Sequence, residues 1–395
     1  MGMADSTGTD AAGLELLALD SRLTAEELRL RDEARDFARR RLFPFVDGWF
    51  EDAYFPIELA AELGRLGVLG GTLSGYGCPG RGAVAYGLQC MELEAADSGI
   101  RTFASVQGSL TMSAIHRFGS EKQKRRWLPG LASGEVIGCF ALTEPLHGSD
   151  PASMETAAEL TGHEWVLNGV KRWIGNGSLA DVAVVWARTE GGIRGFLVPR
   201  QTDGFSAEDI TRKWSMRASV QSELRFDNCR VLHDAVLPRA EGLKAPLSCL
   251  NEARYGIVWG AMGAARSCYE AAVSHARKRI QFGRPIASFQ LVQERLVDML
   301  SEILKGTLLA LHLGRLKEQA ELRPEQVSIG KLSNTKQALY IAREARALLG
   351  GEGITLEHPV VRHMNNLEAV LTYEGTPEIH TLIVGQAITG ERAFT

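Results

Sequence analysis

Residues 164–176, EWVLNGVKRWIGN, decide how the middle of the chain is read. Asn168-Gly169 stands between two strand-like runs, and this pair is the strongest short-range hairpin signal, because both residues accept the positive φ of a tight turn. Downstream, ADVAVVWARTEGGIRGFLVPR (180–200) reads as a second hairpin and SELRFDNCRV (222–231) as a further strand. Strand signals begin near Gly134 and stop near Pro238, so a β region of roughly a hundred residues is expected there.

On both sides the periodicity is helical. In LTAEELRLRDEARDFARRRLFPFV (23–46) apolar residues recur at helical spacing, with Thr24 placed as N-cap and Glu26 and Glu27 behind it. QCMELEAADSGIRTFASVQ (89–107) reads as one helix. From APLSCLNEARYGIVWGAMGAA (245–265) onward helices return. Val292, Leu296, Met299 and Ile303 mark one face of a long helix, another stops at Gly350-Gly351, and one more begins near Pro377. The expected division is a disordered or extended arm (1–22), an N-terminal helical domain (23–133), a middle β domain (134–245) and a C-terminal helical bundle (246–395).

Composition narrows the function. The 395 residues are 45% hydrophobic and 23% charged with a net charge of −4, ordinary for a globular protein and without the basic footprint of a nucleic-acid binder. No apolar run approaches the roughly 20 residues of a bilayer span. MGMADSTGTD is not a secretory signal; it formally matches an N-terminal acylation pattern but reads as a disordered tail. Six cysteines without a Cys-x-x-Cys pair or metal-like His spacing point to free thiols, a cytoplasmic location and no metal. GYGCPG (75–80) has the Gly-x-Gly-x-x-Gly spacing, yet no strand leads into it, so it reads as a loop and not a dinucleotide site. With no Walker sequence or Ser-His-Asp signature either, any redox chemistry falls to another kind of cofactor.

Two charged residues stand out. Glu374, in LTYEGTPEIHTLIVGQAITG (371–390), is either a carboxylate favoured by the N-terminus of the next helix or a desolvated base. Arg101 shares a helical face with Glu94 and Ser105, and a buried guanidinium needs an anion. That anion is either Glu94 or a bound carboxylate, for which a guanidinium is well suited.

CFALTEPLHGSD (139–150), RWIGNG (172–177), RKRIQFGRPIASFQ (277–290), LLGGEGI (348–354) and TYEGTPEIH (372–380) resemble the ordered motif set of the FAD-dependent acyl-CoA dehydrogenases, over nearly the whole chain from about residue 20. Within that family, ELEAADSGIRTFASVQGSL (92–110) and CLNEARYGI (249–257) resemble the glutaryl-CoA dehydrogenases. The resemblance implies an α+β multidomain fold: an N-terminal helical domain, a middle β-barrel-like domain and a C-terminal four-helix bundle, usually as a tetramer. It implies FAD as cofactor, a CoA thioester as substrate and an electron-transfer flavoprotein as partner. The implied reaction is α,β-dehydrogenation of glutaryl-CoA followed by decarboxylation to crotonyl-CoA and CO2. The alternatives are a short-chain monocarboxylic acyl-CoA dehydrogenase or oxidase, and a glutaryl-CoA dehydrogenase that does not decarboxylate.

By the same resemblance Glu374 is the general base and Tyr373, beside it, matches the decarboxylating type. Arg101 and Ser105 clamp the distal carboxylate, Glu94 orients the guanidinium, and Thr102, Ser149, Asn251, Arg254 and Gly375 complete the substrate side. Phe140, Leu142 and Thr143 meet the isoalloxazine edge and Trp173 packs on its ring. Arg279, Gln281 and Phe282, with Gly350 and Gly351, serve the FAD of a neighbouring subunit, and Thr376 and Glu378 hold the cofactor near the base. The sequence departs from the family at Gly175, where most members carry a Thr whose hydroxyl meets flavin N5. The expectation is that Gly175 opens space there and raises oxygen reactivity. His147 replaces a small residue in the LTEPLHGSD loop and reads as a tolerated loop residue.

Overall fold

The computed structural model describes residues 13–392; the acylation pattern and most of the expected N-terminal arm lie outside them. Residues 13–22 form turns and a short 3-10 helix, Leu19–Arg22, not an extended strand. Helices α1 (Ala25–Phe37), α2 (Val46–Glu51), α3 (Leu59–Leu66), α4 (Ala83–Ala96), α5 (Ser98–Ser105), α6 (Ser113–Phe118) and α7 (Glu121–Ser133) build the N-terminal part. Thr24 opens α1 as expected: its hydroxyl accepts the Glu27 N–H at 3.2 Å while the Glu27 carboxylate accepts the Thr24 N–H at 2.8 Å.

Two expectations change here. GYGCPG is a miniature antiparallel hairpin, β1 (Ser74–Gly75) with β2 (Cys78–Pro79), closed by positive φ at Tyr76 and Gly77. The helix expected across 89–107 breaks at Asp97, whose backbone is extended between α4 and α5. One Asp97 oxygen caps α5 through the Gly99 N–H at 2.6 Å, and the other receives Arg362 and Asn366 at 2.8 Å each. Three charge-assisted bonds to one buried carboxylate outweigh the continuation of a helix.

The middle region is a seven-stranded sheet of β3 (Gly138–Ala141), β4 (Ala157–Thr161), β5 (Glu164–Gly175), β6 (Val182–Thr189), β7 (Gly192–Pro199), β8 (Phe205–Asp209) and β9 (Gln221–Leu232). Its order is β3-β6-β4-β5-β9-β8, with β7 on the other side of β6. The β6–β7 hairpin lies where the sequence placed it, with Thr189 opposite Gly192. Asn168-Gly169 is not a turn: β5 runs through it, and the turn is Gly162-His163, between Thr161 and Glu164. The pair forms a bulge against β9 instead, with the register shifting between Leu167 and Gly169. Gly169 has a φ of 147°, and a Cβ there would overlap the Thr156 side chain. The sheet separates two cores by the period of two: Phe140, Val184 and Trp186 face the helices, while Cys139, Val185 and Phe196 fill the sheet's own interior.

The C-terminal part holds α8 (Lys244–Lys278), the small hairpin β10 (Ile280–Gln281) and β11 (Arg284–Pro285), then α9 (Gln290–Glu318), α10 (Pro324–Leu348), α11 (Pro359–Thr372) and α12 (Pro377–Thr389). Helices α8 to α11 pack together, and Met299 and Ile303 of the expected stripe are buried in that packing. Helix α4 lies against α8 so closely that a Cβ on Gly263 would overlap the Met91 carbonyl. Among the described residues no helix is long and apolar enough to cross a membrane, no cysteine is paired, and no cluster of three His, Cys, Asp or Glu side chains could hold a metal ion.

Candidate active site

Three elements converge on Glu374. It follows α11 in a turn that holds it at φ 54°, a left-handed conformation that a residue with a Cβ adopts at a cost. Gly375 follows at φ 103°, where a Cβ would stand 2.9 Å from Nε2 of His380. The strain persists because cations hold the turn's carbonyls. Arg254 of α8 donates Nε–H to the Glu374 carbonyl at 2.7 Å. Lys331 of α10, 1% exposed, donates to the carbonyls of Tyr373 at 2.5 Å, Gly375 at 2.6 Å and Leu371 at 3.4 Å.

The carboxylate itself has one oxygen, Oε2, buried without a hydrogen-bond partner. Burial raises the Glu374 pKa above the ordinary carboxylate range, against the pull of Arg101, Lys331 and Arg254. Burial likewise brings the Lys331 ammonium down to about 7. His380, 1% exposed with both ring nitrogens unpartnered, is pushed down to about 3 by burial and then by Lys331 and Arg254, so it is neutral.

The second half of the site is a fully buried ion pair. Although α4 and α5 are separate helices, Arg101 still reaches Glu94, donating Nε–H to Oε2 at 2.6 Å, and both side chains are 0% exposed. Arg101 Nη2 donates to the Tyr373 hydroxyl, which also lies 3.2 Å from Thr102 Oγ1. Burial opposes the Arg101 charge, but Glu94 and Tyr373 outweigh it and hold the pKa above its ordinary value. Burial raises Glu94, with Arg101 opposing. A glycine makes room for the pair: a Cβ on Gly260 of α8 would overlap Oε2 of Glu94 and stand 3.2 Å from Nε of Arg101. Arg101 Nη1, Glu94 Oε1 and Ser105 Oγ remain buried without partners. Unsatisfied buried donors and acceptors gathered at one place, beside an unpartnered carboxylate oxygen, mark where a polar ligand goes.

Tyr373, Glu374, Gly375, Arg101, Glu94, Thr102 and Arg254 are thus brought into one bonded network, with Ser105 beside Arg101's helix face. Asn251 joins it by accepting from Arg254 Nη1 at 3.1 Å. Thr376 caps α12 through the Ile379 N–H, and Glu378 is exposed on its first turn, its carboxyl lowered by the Thr376 hydroxyl. Ser149 lies in an exposed loop and makes no bond to the network.

The other expected residues fall in two further groups. On the sheet, Phe140 and Leu142 are core residues, Phe140 packing on Trp186 with ring centroids 5.7 Å apart. Thr143 is tied to Trp173's strand by the Arg172 N–H at 2.8 Å. Trp173 is 55% exposed at φ 63°, with the Arg172 guanidinium over its ring at 5.1 Å, so it is a surface aromatic and not a core tryptophan. At the far end of α8, Arg279, Gln281, Gly350 and Gly351 line one cavity of about 620 Å³ together with His275 and Glu352. A Cβ on Gly350 or Gly351 would meet nothing within 4 Å, so ligand atoms can approach that backbone. Phe282, beside it, is 92% exposed at φ 52°.

Gly175 corrects one expectation. Its Cβ position is not open: Val106 Cγ2 stands 2.9 Å from it, so a valine methyl from the segment after α5 fills the room a side chain would need. His147 pairs loosely with Glu155 at 3.4 Å, in keeping with a loop role. Sequence reasoning missed Lys331 and Val106. The signal for Lys331 was present: it lies on the buried face of α10 with Val327, Asn334, Thr335 and Ala338, where the helical period calls for an apolar residue.

Family models for the acyl-CoA dehydrogenase N-terminal, middle and C-terminal domains match residues 24–135, 139–229 and 240–389. A crystal structure of glutaryl-CoA dehydrogenase from Mycobacterium smegmatis is similar with a TM-score of 0.96 and 60% identity, covering 97% of this chain and 99% of that one. A second, of a glutaryl-CoA dehydrogenase from Mycobacterium smegmatis in complex with FADH2, has a TM-score of 0.96 and 58% identity, covering 97% of this chain and 100% of that one. The human mitochondrial short-chain specific acyl-CoA dehydrogenase is 34% identical over 362 residues, 90% of this chain and 88% of its own.

Proposed function

We propose that this chain, which belongs to the acyl-CoA dehydrogenase family, oxidises glutaryl-CoA with FAD as its cofactor and decarboxylates the product to crotonyl-CoA. One observation carries the choice of substrate: Arg101 is fully buried, paired with Glu94, and keeps Nη1 unpartnered, with an equally unpartnered Ser105 hydroxyl one helical turn further along α5. A distal carboxylate supplies acceptors for both, whereas a monocarboxylic acyl chain would bring only a methyl group to a guanidinium.

The residues fit the cofactor. Trp173 offers an exposed aromatic face, and the cavity at Gly350-Gly351 offers bare backbone beside Arg279 for an anionic pyrophosphate. When bound there, FAD would supply a hydride acceptor for the β-carbon. Glu374 takes the proton from the α-carbon, with its carboxylate made more basic by burial. The backbone N–H of Glu374 is assigned to the thioester oxygen, where negative charge develops. Arg101 and Ser105 fix the far end, which sets the chain's register so that the α-carbon meets Glu374. In the second step the C–C bond to the distal carboxylate breaks, its electron pair passes into the thioester, and the proton on Glu374 returns to the γ-carbon. Tyr373 joins the two steps, since its hydroxyl touches Arg101 and its neighbour is the base. An electron-transfer flavoprotein is the proposed oxidant of the reduced enzyme, and a cytoplasmic homotetramer its proposed form.

The test is a product assay: glutaryl-CoA with an artificial electron acceptor, and the CoA products separated and weighed. Crotonyl-CoA supports both steps; glutaconyl-CoA alone retires the role of Tyr373. Turnover of butyryl-CoA alone would favour a second reading, a short-chain monocarboxylic dehydrogenase. That reading draws on Glu94, which already neutralises Arg101, and on the 34% identity to the human short-chain enzyme.

A further inference from the structure

Four backbone carbonyls around the base, those of Leu371, Tyr373, Glu374 and Gly375, are held by two buried cations, and one of these, Lys331, has no assigned part. Among the described residues its ammonium makes no ion pair at hydrogen-bonding distance; its acceptors are the backbone carbonyls of Leu371, Tyr373 and Gly375. Those of Tyr373 and Gly375 flank Glu374, the residue held at φ 54°. Arg254 takes the carbonyl between them.

We infer that Lys331 is a positioning residue for the base: by tying the carbonyls on either side of Glu374 it imposes the left-handed turn that aims the carboxylate. The inference rests on the reading of Glu374 as the base. A left-handed glutamate costs on the order of 1–3 kcal/mol and survives only where its surroundings over-determine it. Three N–H donors on one ammonium, two directed at the carbonyls flanking Glu374 and the third at Leu371 in the last turn of α11, do so. A lysine suits the task better than an arginine because its donors diverge from one atom, as the three carbonyls require. The charged and titratable groups facing Glu374 are Arg101 from α5, Arg254 from α8, Lys331 from α10, Tyr373 on its own turn and His380 from α12, with Glu94 behind Arg101. His380 is neutral and Arg101 is balanced by Glu94, so Lys331 and Arg254 remain as the cations not offset by another carboxylate.

The test reads proton abstraction apart from redox turnover. In 3-thiaglutaryl-CoA a sulfur replaces the β-carbon, so no hydride can leave, and the base reports itself as exchange of the α-hydrogens in D2O, followed by mass spectrometry. The full-length, FAD-loaded protein is compared with Lys331→Met, Lys331→Gln and Glu374→Gln. Lys331→Met is expected to slow exchange roughly tenfold to a hundredfold, the cost of a misplaced catalytic group, with little change in affinity for the thioester. In both Lys331 variants the midpoint of the acid limb is expected to move to higher pH by about one unit, since a nearby cation had favoured the ionised carboxylate. Lys331→Gln retains an N–H donor and so loses less rate than Lys331→Met. A wild-type midpoint in Lys331→Gln overturns the inference, even if Lys331→Met does not fold. Exchange that persists in Glu374→Gln overturns the base assignment itself, and the role of Lys331 with it.

Discussion

Replacing Arg101 by Met and Glu94 by Gln together converts the proposed dicarboxylate clamp into a neutral site of similar volume. Both must change. Arg101→Met alone leaves Glu94 as a fully buried carboxylate without its cation, and breaking such a pair costs about 3–5 kcal/mol of stability. With the charge removed from both, the fold keeps its balance and the substrate effect can be read by itself. Glutaryl-CoA would lose the bond offered by Nη1 and the attraction of a desolvated guanidinium. A charge-assisted hydrogen bond contributes about 1.5–3 kcal/mol, so with the coulombic attraction a loss of roughly 3–5 kcal/mol is expected. At 1.4 kcal/mol per decade this is a fall of about 10²- to 4 × 10³-fold in kcat/KM. Butyryl-CoA, which has no distal carboxylate, should change by less than about tenfold on the same arithmetic. The assay is steady-state kinetics on both thioesters, with the visible flavin spectrum confirming cofactor content. Equal losses on the two substrates would refute the reasoning and leave Arg101–Glu94 as an internal structural pair.

Gly260→Ala places a methyl on Oε2 of Glu94, and should lower Tm and depress glutaryl-CoA turnover more than butyryl-CoA turnover, as read by thermal melts and paired kinetics. Gly175→Thr alone must displace Val106, so it should destabilise the protein by about 1–3 kcal/mol, whereas Val106→Ala/Gly175→Thr recovers the loss; chemical denaturation of the pair checks this. Tyr373→Phe removes the hydroxyl on Arg101 and should shift the product from crotonyl-CoA towards glutaconyl-CoA, measured by mass of the CoA esters. Glu92 gives a pH signature. Burial opposes its charge, but Arg266 and Arg35 outweigh it and lower its pKa from 4.5 to about 2. Its contribution, about 3 kcal/mol by linkage, is present above the unfolded value and lost as pH falls through the folded one. Denaturation curves between pH 5 and 2 should show that loss in the wild type and lack it in Glu92→Gln.

What the sequence disclosed and what it hid divide by the kind of partner involved. Glu374 was legible because a lone acid beside Gly-Thr-Pro is locally odd, and Arg101 because a cation on an apolar face demands an anion. The break at Asp97 was not legible, since its reason is Arg362 and Asn366, more than 260 positions away in α11. Asn168-Gly169 carried a true backbone preference, but the neighbouring strands used its positive φ for a bulge instead of a turn. Lys331 left no side-chain counterpart to find, because its hydrogen-bond acceptors are backbone carbonyls. Val106 complements Gly175 only in three dimensions, where a methyl from one region occupies the room left by an absent side chain in another.

The charges of the site, taken together, bear on the substrate. Around Glu374 and Arg101 the buried or part-buried ionisable groups are the cations Arg101, Arg254 and Lys331 and the carboxylates Glu94 and Glu374. His380 is neutral and Tyr373 is raised by burial, so neither enters the balance near neutrality. With Lys331 protonated and Glu374 ionised, three positive charges face two negative ones. An enclosed unit charge is costly unless paired, and water supplies that pairing only while the site is wet. A thioester that fills the site expels the water, so the excess cation must be met by the ligand itself. A distal carboxylate restores the total for the site as a whole and gives acceptors to Nη1 and Ser105, which lack partners, and a methyl group does neither. Under the proposed decarboxylation the same balance would change once CO2 departs: crotonyl-CoA would leave the excess charge unmatched, which would favour its release over rebinding of a monocarboxylic thioester.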